Sequence, residues 1–256
     1  MPIITLISDL KLRDPYVSII KAGIMSVTAE LSILDITHAV AAGNSLQTAY
    51  LLSNSYPHFP KGTLHLIYTD CFFKKEANPV LVNYDGHYFM GADDGVFSMF
   101  INSKEYNAVI YAEPDVSDLF LVEKMQKMVG WFLQNTVVQH TNPYPSLQKK
   151  YKNEPIFNQL ENKIEGSIIY IDSFCNAITN IPTALFQSAS KNLEFLAKIP
   201  GRSQLIRRYS DHKIQDGIEL YFTSNIMGFL EIRMNEGRLA PLTGIECGDK
   251  IEIKFQ

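Results

Sequence analysis

Cysteine is scarce in this sequence: Cys71, Cys175 and Cys247 are three residues at wide, irregular spacing. They form no CxxC pair, so neither a disulfide framework nor a cysteine zinc site is expected, and reduced thiols fit a cytoplasmic protein. Long apolar runs are missing as well. None approaches the roughly 18 residues of a membrane-spanning helix, so no membrane partner is expected. The N-terminus has no basic n-region, and Asp9 interrupts its apolar run too early for a signal peptide. Lys and Arg, 23 in all against 27 Asp and Glu, are scattered rather than clustered. A nucleic-acid-binding surface normally shows a basic stripe, so that partner is not expected either. His58, His65, His87 and His212 show no HxH or HExxH spacing, which argues against a metal. No internal repeat or low-complexity tract stands out.

What is present is an ordinary globular balance, 46% hydrophobic and 20% charged over 256 residues, enough for one large domain or two modest ones. The first half alternates strand and helix signals. Pro2 to Ile7 is an unbroken apolar run suited to a buried parallel strand, and Pro15 suits the first turn of a helix running to about Val27. Leu31 to Ile36, Thr63 to Thr69 and Asn107 to Tyr111 read as strands, with Val80 to Asn83 and His87 to Met90 as extended pieces. Asn44 to Ser55 and Leu119 to Gln134 read as helices, and a short helix with Phe97 and Phe100 follows the turn Gly91-Ala92-Asp93-Asp94-Gly95. This alternation predicts an α/β domain over 1–140 with a mostly parallel, Rossmann-like sheet covered on both faces. Residues 141–164, with Pro143, Pro145, Pro155 and a Lys-rich run, read as a connector. Gly166 to Ile171, Gly217 to Phe222, Gly228 to Met234 and Lys250 to Phe255 then predict a smaller all-β, barrel-like domain over 165–256.

Two segments carry chemistry. Asp9 and Asp14 place two carboxylates five residues apart at the mouth of the first strand. In open α/β sheets ligands bind at the carboxyl ends of strands, where short acids grip hydroxyls or ammonium groups. The same two acids could instead cap the following helix. Asp172-Ser173-Phe174-Cys175-Asn176 follows an apolar strand. The Asn176 amide could match a purine edge and Phe174 could stack on a ring. Alternatively it is a turn in which Asn176 satisfies backbone groups and Phe174 joins the core.

Taken together, these segments resemble a known family. Ser8-Asp9 with Asp14-Pro15-Tyr16-Val17 matches its opening motif; Asp35-Ile36-Thr37-His38, Phe59-Pro60-Lys61-Gly62-Thr63 and Gly86-His87-Tyr88-Phe89 follow in order. Asp172 to Asn176 with Thr179-Asn180-Ile181 matches the opening of its second domain, and Asn225 to Ile232 with Gly248-Asp249 its C-terminal blocks. The chain is similar to S-adenosylmethionine hydroxide adenosyltransferases, whose relatives include the bacterial fluorinase and chlorinase. The resemblance implies an N-terminal α/β domain, a C-terminal β domain and a homotrimer with an adenosyl ligand at the subunit interface. No cofactor is implied beyond S-adenosylmethionine or adenosine itself, as substrate or ligand. By position Asp9 would hold the ribose hydroxyls and Asp14 would face the methionine ammonium. Phe174 and Asn176 would pack on and hydrogen-bond the adenine, with Asp172, Ser173, Asn225 and Phe229 in the matching ligand-binding blocks. The implied chemistry is displacement of methionine from the ribose 5′ carbon, by water in most members. The sulfonium is a good leaving group, so the protein chiefly positions and desolvates the nucleophile.

Departures from the pattern fall on the water-activating Asp-Arg-His set. Asp70 matches its first member and is the expected catalytic residue. Cys71-Phe72-Phe73-Lys74-Lys75-Glu76-Ala77 replaces the stretch ending in the Arg, leaving Lys74 and Lys75 as imperfect substitutes. Phe120-Leu121-Val122-Glu123-Lys124 replaces the family's Phe-His-Gly-Arg-Asp, and Leu121 cannot accept a proton. His140 lies too far along to stand in. Ile226 replaces a hydroxyl residue, Leu10-Lys11 a Phe-Gly, and Asp94 an Asn. The implied function is therefore an adenosyl-binding protein that hydrolyses S-adenosylmethionine, or an impaired paralogue serving as a nucleoside-binding or scaffolding protein. A reshaped Phe72-Phe73 pocket could also serve another nucleophile or nucleoside. His38 reads as a strand-end hydrogen-bonding residue, Trp131 with Phe132 and Met128 as a buried helix face, and Cys71 with Cys175 as small buried hydrophobes rather than reactive thiols.

Overall fold

The computed structural model of the chain describes residues 2–256 except 29, 71–73, 102–104, 114–118, 151–153, 192 and 213–218. It divides into two compact units, residues 1–151 and 152–256. The stretch 141–164 carries two short strands, 141–143 paired within the first unit and 156–158 paired within the second.

The first unit is built on strands β1 (Ile3–Ser8), β2 (Ser32–Thr37), β3 (Leu64–Tyr68), β4 (Pro79–Tyr84), β5 (His87–Ala92), β6 (Asn107–Tyr111) and β7 (Thr141–Pro143). They form one sheet in the order β2-β1-β3-β5-β4-β6-β7. β1 pairs in parallel with β2 and β3, and β3 with β5. The pairs β4–β5, β4–β6 and β6–β7 are antiparallel, so the sheet is mixed rather than mostly parallel. The reason is local. Asp85 and Gly86, both with positive φ, form a two-residue reversal that turns β4 straight back into β5, where a parallel pair would need a crossover helix.

Three helices cover the sheet: α1 (Tyr16–Met25), α2 (Ser45–Ser55) and α3 (Leu121–Leu133). Ile20 and Ile24 of α1 and Leu121, Met125 and Met128 of α3 pack with Ile4, Leu6, Leu66 and Tyr68 on one face. Ala49 and Leu52 of α2 pack with Ile7, Ile67, Val82 and Phe89 on the other, joined by Phe97 and Phe100 of the short helical turn. Because β1 and β3 are buried on both faces, every position of their apolar runs is used. α2 starts at Asn44, whose side chain accepts the Gln47 N–H at 3.0 Å.

The second unit comprises β8 (Ile156–Asn158), β9 (Lys163–Ile171), β10 (Ala177–Pro182), α4 (Thr183–Ser190), β11 (Phe195–Lys198), β12 (Leu205–Ile206), β13 (Leu220–Ser224), β14 (Phe229–Met234), α5 (Leu239–Thr243) and β15 (Lys250–Phe255). The order is β12-β11-β15-β9-β10-β14-β13, with β8 beside β9, and these strands pair antiparallel. The two ends of the sheet approach each other: Phe222 N–H donates to Arg208 O at 2.8 Å and accepts from Ser210 N–H at 2.9 Å through its own carbonyl. The sheet is thus nearly barrel-shaped around Ile164, Phe186, Phe222, Ile232 and Ile253. Gly166 permits this curl, since a Cβ there would lie 2.6 Å from the Ile181 side chain. The strand expected over 217–222 begins at positions that lie outside the described residues.

A polar chain is sealed inside the first unit. Thr5 Oγ1 lies 2.7 Å from His65 Nδ1, and His65 Nε2 lies 3.2 Å from His87 Nδ1, with all three residues fully buried. Burial, with the neighbouring His87 second, pushes His65 down to about 3. Below its ordinary value of 6.5 the unfolded chain takes up a proton that the folded state refuses. This group's contribution to stability is therefore complete above pH 6.5 and lost as pH falls toward 3, at about 1.4 kcal/mol per pH unit. Urea midpoints should fall more steeply between pH 6.5 and 4 for the parent than for His65→Asn; parallel curves would contradict this.

Candidate functional site

The carboxyl ends of β1, β2, β3 and β5 bring four turns to one edge of the first unit. Asp9 leaves β1, and its Oδ2 accepts two backbone N–H groups at 2.9 Å, those of Gly43 and Asp70. One carboxylate thereby ties together the turns that follow β1, β2 and β3. Asp70 sits in the left-handed region at φ 49°, turned so that its Oδ2 accepts the Lys74 ammonium at 2.7 Å. Gly43, at φ +65°, faces it; a Cβ there would stand 3.6 Å from Asp70 Cβ. Asp14 lies exposed ahead of α1. Pro15 occupies the cap position of that helix and no side chain caps it, so neither acid has the capping role.

His38 has the acidic partner that spacing alone leaves unassigned. Its Nε2 lies 3.1 Å from Asp35 Oδ1, its Nδ1 lies 2.7 Å from Ser8 Oγ, and the ring is buried. Burial raises the Asp35 carboxyl, but hydrogen bonds from Lys21 and His38 outweigh it and hold the group below its ordinary value. Lys11 is engaged in the turn after β2: its ammonium donates to Val40 O at 2.9 Å. A second group was not legible as a site. Lys150 Nζ donates to Ser45 Oγ at 2.9 Å, and Ser45 Oγ donates to Asp94 Oδ2 at 2.6 Å, at the first turn of α2. Only the Asp93-Asp94-Gly95 turn hinted at this, because Lys150 arrives from 105 positions away.

Leu121 is fully buried in the core. His140 stacks on Trp131 at 4.2 Å and meets Glu113 Oε1 through Nδ1 at 2.8 Å. Cys71, Phe72 and Phe73 lie outside the described residues.

In the second unit the Asp172–Asn176 turn joins β9 to β10. Asp172 organises it, and not Asn176: Oδ1 accepts the N–H groups of Phe174 at 2.9 Å and Asn176 at 2.8 Å, while Oδ2 accepts Asn176 Nδ2 at 3.0 Å. Ser173 is exposed, and the Phe174 ring is 80% exposed rather than part of the core. Cys175 is buried, with Sγ accepting from Arg238 Nε at 3.1 Å. Asn225 closes the β13–β14 turn in the same manner, accepting Met227 N–H at 2.9 Å and Phe229 N–H at 3.0 Å. The two turns lie at opposite ends of β10, because Ala177 pairs with Ile232 and Pro182 with Phe229. That separates them by about 17 Å of strand within one chain.

The Asp9 arrangement has a direct consequence. Asp9→Ala removes a charged acceptor from two amides, worth ~1–3 kcal/mol locally. Hydrogen exchange at the Gly43 and Asp70 amides should quicken about tenfold or more; unchanged protection would show that the turns hold themselves.

Comparison with known proteins follows the same division. Residues 4–132 match the SAM hydroxide adenosyltransferase N-terminal domain and residues 166–252 the C-terminal domain of that family. An (R)-S-adenosyl-L-methionine hydrolase of Thermus thermophilus is 27% identical over 95 residues, a stretch spanning 36% of this chain and 36% of that relative. Among solved structures, an uncharacterized conserved protein from Thermotoga maritima superimposes with a TM-score of 0.79 at 22% identity, covering 98% of this chain and 99% of its own. A conserved hypothetical protein from Thermus thermophilus gives 0.68 at 19% identity over the whole of both chains. At such identities these two structures speak for the fold. With both halves matched in order, the chain belongs to the SAM hydroxide adenosyltransferase family.

Proposed function

We propose that the protein binds S-adenosylmethionine and hydrolyses it to adenosine and methionine, as a cytoplasmic homotrimer. The observation that carries this reading is Asp9. Its Oδ2 is fixed by two amides, and its Oδ1 has no hydrogen-bond partner among the described residues, at the strand edge where α/β proteins bind ligands. A carboxylate oxygen held in place there accepts from ribose hydroxyls. The Asp172–Asn176 turn supplies the complementary half: an exposed Phe174 ring for a base to stack on, beside an amide whose Nδ2 is anchored. In a trimer this turn would come from a neighbouring subunit. Asn225 and Phe229 close the turn at the far end of β10. Asp14, exposed before α1, is available to the ligand's ammonium.

In the reaction a water oxygen bonds to the ribose 5′ carbon as the bond to sulfur breaks, and the electron pair stays on sulfur as methionine leaves. The proton lost by water passes to the Asp70 carboxylate and on to solvent. No group other than the ligand is required. A binding-only role is favoured by one observation, that Leu121 fills the core where the family places its His. The two roles separate in a chromatographic time course with S-adenosylmethionine. Adenosine and methionine should accumulate with the parent and fall about 10²-fold with Asp70→Asn, a general-base loss. Product at the spontaneous rate would leave binding without turnover.

A further inference from the structure

Lys124, in the first turn of α3, is 4% exposed, and no carboxylate pairs with it among the described residues. Its ammonium is satisfied by three neutral acceptors on one short segment: Lys75 O at 2.7 Å, Ala77 O at 3.2 Å and Asn78 Oδ1 at 3.0 Å. A buried ammonium is costly unless its donors are all used, so this arrangement persists only while that segment stays in place. Two further contacts fix the same segment. Leu121 N–H donates to Lys74 O at 2.6 Å, and the Lys75 ammonium lies 5.0 Å from the centre of the Phe120 ring.

The consequence falls on Lys74, whose side chain reaches Asp70 Oδ2 at 2.7 Å. The pair is about half exposed, and an exposed ion pair alone is worth ~0–1 kcal/mol, too little to set its own geometry. The backbone of Lys74 is set independently by α3, and this makes the contact reproducible. Charge supplies a reason for it. Asp9 Oδ2 accepts the amide of Asp70 itself, so two carboxylates share this edge. A lysine beside them offsets their mutual repulsion.

We propose that Lys74 is the positioning cation of Asp70 and that Lys124 sets its place, so that a clamped lysine segment holds the water-facing carboxylate of this chain. The proposal rests on the reading of Asp70 as the residue that orients water.

Site-resolved reductive methylation of the full chain, read by mass spectrometry, tests it without requiring turnover. Lys74 should label several-fold faster in both Lys124→Met and Asp70→Asn than in the parent, with Lys198 of the second unit unchanged. Should Lys124→Met fail to fold, Asn78→Leu removes one of the three acceptors and should speed Lys74 in the same sense. Unchanged Lys74 labelling in a folded variant overturns the clamp. In the hydrolysis assay, Lys74→Met should lower kcat about tenfold with KM unchanged, and Lys74→Arg should restore it. Loss of KM alone, or no rescue, would overturn the positioning role. A parent without turnover would remove the hydrolase reading, while the labelling would still decide the clamp.

Discussion

A single carboxylate oxygen organises the carboxyl edge of the first unit's sheet. Asp9 Oδ2 gathers the amides of Gly43 and Asp70, and so joins turns that leave three neighbouring parallel strands. The turns are drawn together because parallel pairing puts their strands' carboxyl ends on one side. Asp70 and Gly43, both with left-handed backbone, meet at that junction, with Gly43 one residue ahead of the Asn44 cap of α2. Charge-assisted acceptance of backbone amides is among the stronger hydrogen bonds available, and here it leaves the second oxygen of the same group without a hydrogen-bond partner among the described residues.

The second unit presents a different kind of surface. In the second unit, Asp172 and Asn225 use one device, a side-chain oxygen accepting two amides of its own turn, to shape hairpin connections. At the Asp172 turn the result is an aromatic ring held away from its own core. The departures from the family pattern include Leu121 in the core and Lys74, rather than an arginine, on Asp70 Oδ2.

Much of this was legible in the residue pattern. The apolar runs of β1 and β3, the Asn44 start of α2 and the acids at strand ends follow from burial on two faces, capping and topology. The antiparallel half of the first sheet was less visible, since its central hairpin turns on two residues and a strand's direction leaves no mark on its own sequence. β11 and β12 are short, and the polar residues of β10 disguise an interior that closes only when the sheet curls. Lys124 and Lys150 were beyond sequence reasoning for a different reason. Lys124 is held mainly by carbonyls, which every residue carries, and Lys150 by a hydroxyl 105 positions away.

The most direct test of the account is calorimetric titration of S-adenosylmethionine into the parent protein and into Asp9→Ala. Saturable binding to one site per chain, lost in Asp9→Ala, is the expected result. Binding that survives the substitution undiminished, or no heat of binding at millimolar ligand, would contradict the placement of an adenosyl site on the Asp9 edge.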